Sequence, residues 1–262
     1  TENGNVLTFS GANNLTGGTN TDAFTLSGTG TVSGTITGGG VVTGNTLQAR
    51  DVANTWAITA PDAGSVTNVA AFTGIGNLTG GTNTDAFTLS GTGTVSGTIT
   101  GGGAVTGNTL QARDVANTWN LTTNDAGDVT NVTAFTGIGN LVGGSNTDAF
   151  VFTDAVVMSG TIDGAGGSDT LDLSAYATAR SVAINATSTA NGFAGTEGSV
   201  TGGFSGINVV MLPAGAGDSL QGANFANTWA ITTPDAGTLT ENGNVLTFSG
   251  ANNLTGGTNT DA

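Results

Sequence analysis

The side chains able to do chemistry in this sequence are few, and almost all are carboxylates. Eighteen Asp and Glu residues face three Arg, with no Lys, His or Cys, and the formal net charge is −15. Thiol chemistry and disulfide staples are therefore excluded. A protein that grips phosphates needs clustered cations. Arg50, Arg113 and Arg180 form no cluster in the sequence, which excludes nucleic acid and disfavours an anionic membrane surface. The acidic balance suits solubility, cation binding or contact with a basic partner. No apolar run approaches a membrane span. The chain starts at Thr1 in mid-pattern, so any signal peptide is expected outside this segment.

Many of the carboxylates sit at fixed places in glycine-rich phrases. Asp22 ends the phrase Gly17-Gly18-Thr19-Asn20-Thr21-Asp22, Asp85 and Asp148 end its copies from Gly80 and Gly143, and Asp169 and Asp172 lie within Gly164–Asp172. Asp and Asn side chains bond to neighbouring backbone and Gly supplies positive φ, so each phrase reads as a turn. Asp62, Asp125 and Asp235, in x-Asp-Ala-Gly, read the same way. Arg50-Asp51 and Arg113-Asp114 recur, and both charges vanish together where the third module has Ala223-Asn224. That joint loss points to a local charge pair rather than a catalytic group.

These residues are positioned by a repeating frame. Residues 14–76 recur as 77–139, with 56 of 63 positions identical. A longer module covers 140–252, a further one starts at 253, and residues 1–13 end a preceding one. Residues 1–23 are identical to 240–262, an offset of 239 residues. A linear array re-enters its own pattern in this way, because each unit buries its faces against its neighbours. Continuation of the same array, or self-association, is the expected partnership.

Strand formers and Gly alternate along the module, as in Thr25-Leu26-Ser27-Gly28, Thr31-Val32-Ser33-Gly34, Thr35-Ile36-Thr37-Gly38 and Val41-Val42-Thr43-Gly44. Alternate side chains face opposite sides of a strand, which sends Leu26, Val32, Ile36 and Val42 inward. Further strands are expected at 55–59, 66–69 and 74–78. Ala57/Asn120 belongs on the solvent side and Ile58/Leu121 in the core, while Ser65/Asp128 and Pro61/Asn124 read as turn positions. Trp56, Trp119 and Trp229 are expected to pack in the core; a row of exposed aromatics would instead bind sugars. Helix is expected to be almost absent. The fold class is all-β, an elongated parallel β-solenoid (β-helix) of tandem modules; the alternative is a string of small β-sandwich domains. With coils of 20–24 residues, 63 residues make about three coils, and 239 make about eleven, advancing about 50 Å at ~4.8 Å per strand.

The phrase Gly164-Ala165-Gly166-Gly167-Ser168-Asp169-Thr170-Leu171-Asp172 resembles the RTX nonapeptide, with Ala165 at its second glycine. The phrases from Gly17, Gly80 and Gly143 resemble it more loosely, with Asn20, Asn83 and Asn146 in place of a glycine. The resemblance implies Ca²⁺ held by the carboxylates of Asp169, Asp172, Asp22, Asp85 and Asp148 with backbone carbonyls, a chemistry suited to an ion that takes six to eight oxygens. RTX sites share each ion between adjacent turns, whereas here each phrase stands alone. The wider pattern, Asn-Thr-Trp-x-(Ile/Leu)-Thr, then Asp-Ala-Gly, Asn-Leu-x-Gly-Gly and Asp-x-Phe, resembles repeat tracts of giant bacterial surface exoproteins, the filamentous-haemagglutinin-like and RTX-like adhesins. That resemblance implies secretion, a cell-surface or extracellular location and surface glycans or matrix as partners.

Three readings follow. The first is a structural or adhesive segment of a fibrous surface protein, with no catalytic role. The second is a Ca²⁺-binding module, which can coexist with the first. The third is a polysaccharide-degrading β-helix enzyme, whose acids would come from the unduplicated stretch 151–222 with Asp154, Asp163, Asp169, Asp172, Arg180 and Glu197. An enzyme needs one unique cleft with tuned acids and bases.

Overall fold

A computed structural model describes residues 11–187, 191–215 and 217–258. Among them the chain is all-β: twenty-six strands are hydrogen-bonded into one long sheet. Helix is limited to two single 3₁₀ turns, Val42–Gly44 and Val105–Gly107. No helix of the described residues is long and apolar enough to cross a membrane.

Most strands pair in parallel with a strand one turn of chain further on, and the pairing places apolar residues over one another. Phe24, Leu47, Leu78, Ile99 and Phe135 are successive register partners. So are Trp56, Phe87, Leu110, Leu141, Ile162 and Phe204. A third column runs Trp119, Phe150, Leu171, Val210 and Phe248. All but the outermost Phe24 are buried. Period-two alternation keeps the flanking Thr, Ser and Asn outside, as in the buried–exposed pattern of Asn117–Thr123, and the column itself supplies the hydrophobic driving force.

Antiparallel pairs were not expected from the sequence, and they recur. Asn54–Ala60, Ala63–Val66 and Val69–Thr73 form a three-stranded meander. It is repeated at 117–136, at 181–211 and at 227–249. Asp62, Asp125 and Asp235 turn its first corner with φ of 49°, 54° and 56°, so these are turn residues as expected. The second corner falls at Thr67-Asn68, with Asn68 at φ 70°, inside the stretch 66–69 expected to be a strand. Ser65 and Asp128 lie in the middle strand, opposite Ala57 and Asn120, and not in turns. Asn120 Nδ2 donates to Asp128 Oδ1 at 2.7 Å; the two substitutions between modules are thus one cross-strand exchange. Val42 belongs to a 3₁₀ turn and is half-buried, while Leu26, Val32 and Ile36 face inward.

The meanders lengthen the turns of chain. Register steps are 21–23 residues where no meander intervenes, as from Leu78 to Ile99, and 31–42 elsewhere, as from Ile162 to Phe204. Uniform coils of 20–24 residues are therefore corrected. Seven register steps, joined by six-residue moves along the chain from Phe72 to Leu78, Phe135 to Leu141, Phe204 to Val210 and Phe248 to Leu254, lead from Leu15 to Leu254, its equivalent one super-repeat later, in place of eleven. Residues 63 apart also fall in adjacent columns: Ile36 follows Leu15, Ile99 follows Leu78, and Ile162 follows Leu141 in the Trp56 column.

Candidate functional site

The glycine-rich phrases close around their own aspartates. Asp22 Oδ2 accepts the Gly18 N–H at 2.8 Å, and Asp85 and Asp148 do the same with Gly81 and Gly144 at 2.8 and 2.7 Å. A Cβ at Gly17, Gly80 or Gly143 would stand 2.3–2.4 Å from that carboxylate oxygen, which is why the first residue of each pair carries no side chain. In the interior copies the other oxygen is used as well. Asn54 Nδ2 donates to Asp85 Oδ1 and Asn117 Nδ2 to Asp148 Oδ1, both at 2.6 Å.

A second row of buried amides supports each aspartate from the next rung. The Asp22 N–H donates to Asn45 Oδ1 at 2.8 Å and the Asp85 N–H to Asn108 Oδ1 at 2.9 Å. Asn45 and Asn108 are fully buried, and each turns its Nδ2 to a carbonyl, that of Gly74 or Gly137, at 2.9 Å. Gly38 and Gly101 leave room for this: a Cβ there would lie 1.9 and 2.1 Å from those same carbonyl oxygens. The Asp85 carboxylate and the Asn45 and Asn108 amides thus have partners at both ends, as buried polar groups require, while Oδ1 of Asn54 and of Asn117 has none.

Asp169 breaks the pattern. It occupies the place of Asn45 and Asn108: its Oδ1 accepts the Asp148 N–H at 2.8 Å. It brings no amide to donate, however, and its buried Oδ2 has no hydrogen-bond partner. That oxygen and the Gly206 carbonyl crowd the same point beside Gly164, 2.7 and 2.5 Å from where a Cβ would stand. Burial, with the charges of Asp148 and Asp163 adding to it, pushes the Asp169 carboxyl up to about 7. Burial also raises Asp85 and Asp148, against the hydrogen bonds they accept. Asp218, aligned with Asn45 in the third module, repeats the geometry: its Oδ1 accepts the Arg180 N–H at 2.6 Å and its buried Oδ2 has no partner.

Of the five candidate Ca²⁺ ligands, Asp148 and Asp169 are neighbours, but the five do not gather into one site. Asp172 is on the opposite face of its strand from Asp169 and accepts the Ser174 N–H at 2.9 Å. Among the described residues, no three His, Cys, Asp or Glu side chains gather as a metal site would require. A cation at Asp85 or Asp148 would have to displace the amides already bound there. Melting curves in millimolar Ca²⁺ and in chelator are therefore expected to coincide; a shift of several degrees would assign the phrases to the ion instead.

The acids of the stretch 151–222 are dispersed too. Asp154 caps the Ala177 N–H and Asp163 the Ala165 N–H, each at 3.0 Å. Arg180 forms an ion pair with Glu197, which also accepts the Ser199 N–H at 2.6 Å, and its guanidinium lies 4.3 Å from the Tyr176 ring centroid. The Arg50–Asp51 pair expected from sequence does not form. Arg50 Nε donates to the Gly28 carbonyl at 2.7 Å, and Asp51 accepts the Thr82 N–H at 3.1 Å. Trp56 and Trp119 are in the core as expected, stacked on Phe87 and Phe150 at 5.3 and 5.5 Å, and Trp229 is partly buried. Sequence reading passed over Asn45, Asn108, Asn54 and Asn117. Their exact recurrence at 63 residues was the available signal, hidden among many turn asparagines.

No family model, no curated protein and no solved structure matches this chain.

Proposed function

We propose that this chain is a structural or adhesive repeat segment of a large secreted or cell-surface fibrous protein, with no catalytic role, and that its sheet winds as an elongated parallel β-solenoid. The observation that carries the reading is the register. Near-identical modules set apolar residues over apolar residues and buried Asx over Asp, turn after turn. Such a scaffold grows along one direction, because each rung contacts only its neighbours. Tandem β-sandwiches would bury their strands within separate units instead, with antiparallel pairing dominant. An outward surface of Thr, Ser and Asn carrying net charge −15 suits a solvated stalk or a polar partner such as glycan or matrix.

Seven register steps at about 4.8 Å give an axial repeat of about 34 Å. Electron micrographs and small-angle scattering are expected to show a stiff, unbranched rod with that repeat. Beaded or compact particles would overturn the reading.

A further inference from the structure

An asparagine followed by glycine is open to attack from its own main chain, because glycine has no Cβ to block the approach of its N–H to the preceding side chain. The pair occurs at Asn3-Gly4, Asn191-Gly192 and Asn242-Gly243. The first lies outside the described residues, and the fold treats the other two oppositely. Asn191-Gly192 ends the connection between the paired strands Ser181–Thr187 and Phe193–Glu197. The Gly192 N–H donates to Asn191 Oδ1 at 2.9 Å. These atoms belong to successive residues, and they meet only when rotation about the Cα–C bond of Asn191 swings the Gly192 nitrogen to the side of the Asn191 Cβ. The same rotation sets that nitrogen beside Cγ, the carbon of the side-chain amide. Asn242-Gly243 is instead the two-residue corner between Ala236–Glu241 and Asn244–Ser249, with φ of 48° and 81° and Glu241 paired to Asn244. Positive φ at both central positions marks the mirror image of a type I turn, whose first central ψ is about +30°. That ψ points the Gly243 nitrogen away from the Asn242 side chain.

The Asn191 amide is also oriented by groups from other strands. Its Nδ2 donates to the Gly167 carbonyl, and its Oδ1 lies 3.5 Å from Asn208 Nδ2. Both contacts hold the amide over the Gly192 nitrogen. Asn208 Oδ1 in turn accepts the Asp169 N–H at 3.0 Å, so Asn191 is joined through one amide to the acidic phrase Gly164–Asp172. A side chain at residue 192 would break this arrangement: at φ 69°, a Cβ there would stand 2.7 Å from the Ile207 carbonyl oxygen. Asn191 itself is half-buried, which leaves its amide within reach of water.

We propose that Asn191 is a site of spontaneous deamidation, and that the change loosens the phrase Gly164–Asp172. The Gly192 nitrogen attacks Asn191 Cγ. The N–Cγ bond forms, the Cγ–Nδ2 bond breaks, and the Gly192 proton leaves with the amide nitrogen as ammonia, giving a five-membered imide. Water then adds to one of the two imide carbonyl carbons. Opening yields aspartate or, with the main chain rerouted through the side chain, isoaspartate. Either product sets a carboxylate oxygen against the Gly167 carbonyl where an N–H stood. It also adds a negative charge to a neighbourhood that already holds Asp148, Asp163 and Asp169. An acceptor left facing an acceptor loses the hydrogen bond and keeps the cost of burial. None of this depends on how the array winds or on what it binds.

Ageing the full chain in mildly alkaline buffer, with peptide mass mapping over time, tests this. Asn191 should show the mass change from amide to acid, as two chromatographically distinct products. It should convert at least about tenfold faster than Asn242, whose turn must first open. In concentrated urea, where both pairs are released from the fold, the two sites should react at similar rates. Asn191→Gln, which would need a six-membered ring, should show no conversion at that position. Asn191→Asp should melt below the wild type, and the aged wild type should melt towards it. Asn242 converting as fast as Asn191 in the folded chain, or the same ratio of rates in urea, would overturn the assignment to this geometry. Complete conversion of Asn191 with unchanged melting would overturn the loosening of the phrase.

Discussion

Asp169→Asn is expected to stabilise the protein at about pH 8 and to leave it nearly unchanged near pH 4. In the variant, the new amide donates to the Gly206 carbonyl as Asn45 and Asn108 donate to Gly74 and Gly137, while Oδ1 still accepts the Asp148 N–H. In the wild type only the protonated acid can make that donation. The folded Asp169 holds its proton to about pH 7, whereas the unfolded chain releases it near the ordinary value of 3.8. Between those values the folded state binds more protons, so stability falls as pH rises and levels off once both states are ionised. Three units correspond to roughly 4 kcal/mol, and an unsatisfied buried acceptor costs about 1–3 kcal/mol; a gain of on the order of 2–4 kcal/mol at pH 8 is expected. Thermal melts of both proteins across this range check it. Equal melting shifts at both ends of the range would mean that Asp169 is ionised throughout and finds its donor elsewhere.

Trp119→Ala is expected to cost about 3–5 kcal/mol, the usual range for a large aromatic removed from a packed core. Trp119 is fully buried, stacked on Phe150 and edge-on to Phe135 at 5.9 Å, and such pairs add to the loss from burial alone. Its Nε1 has no hydrogen-bond partner, so Trp119→Phe, which removes that N–H and keeps a ring, should cost far less, about 1 kcal/mol. Trp229→Ala removes a partly buried ring with one edge contact and should fall below about 2 kcal/mol. Urea unfolding gives this order directly. Equal costs for Trp119 and Trp229 would contradict the burial seen here.

Part of the strand pattern was legible in the sequence because alternation and Gly mark it directly, as over Val32–Thr37 and Asn54–Ala60, whereas 41–44 holds a 3₁₀ turn, 66–69 a corner, and the strand expected at 74–78 is Asn77–Thr79. Leu26, Ile36 and Trp56 needed no tertiary information to be placed in a core. The meander was not, since its middle strand, Ala63–Val66, is short, contains Gly64 and follows a turn phrase. The clue was the joint change of Ala57 and Ser65 to Asn120 and Asp128, which only a cross-strand pair explains. Arg50 and Asp51 changed together for a different reason: each bonds to the backbone of a different neighbouring strand or turn, so co-variation of adjacent residues did not mean contact. The candidate site was half legible. The role of Asp85 and Asp148 in their turns could be read from Gly and Asp spacing, but the exceptional state of Asp169 depends on its replacing a buried Asn. That equivalence appears only when the register is known, because Asp169 follows Asp148 by 21 residues where Asn45 follows Asp22 by 23.

Leu78 and Leu141 have like neighbours on both sides, Leu47 with Ile99 and Leu110 with Ile162. Excising residues 77–139 would therefore set Leu141 on Leu47, apolar on apolar. The two modules agree at 56 of 63 amino-acid positions, so either can stand where the other does. Adding or removing a whole module then creates no foreign junction. Length in this protein is then a variable that inheritance can change by a whole module, while the register stays constant.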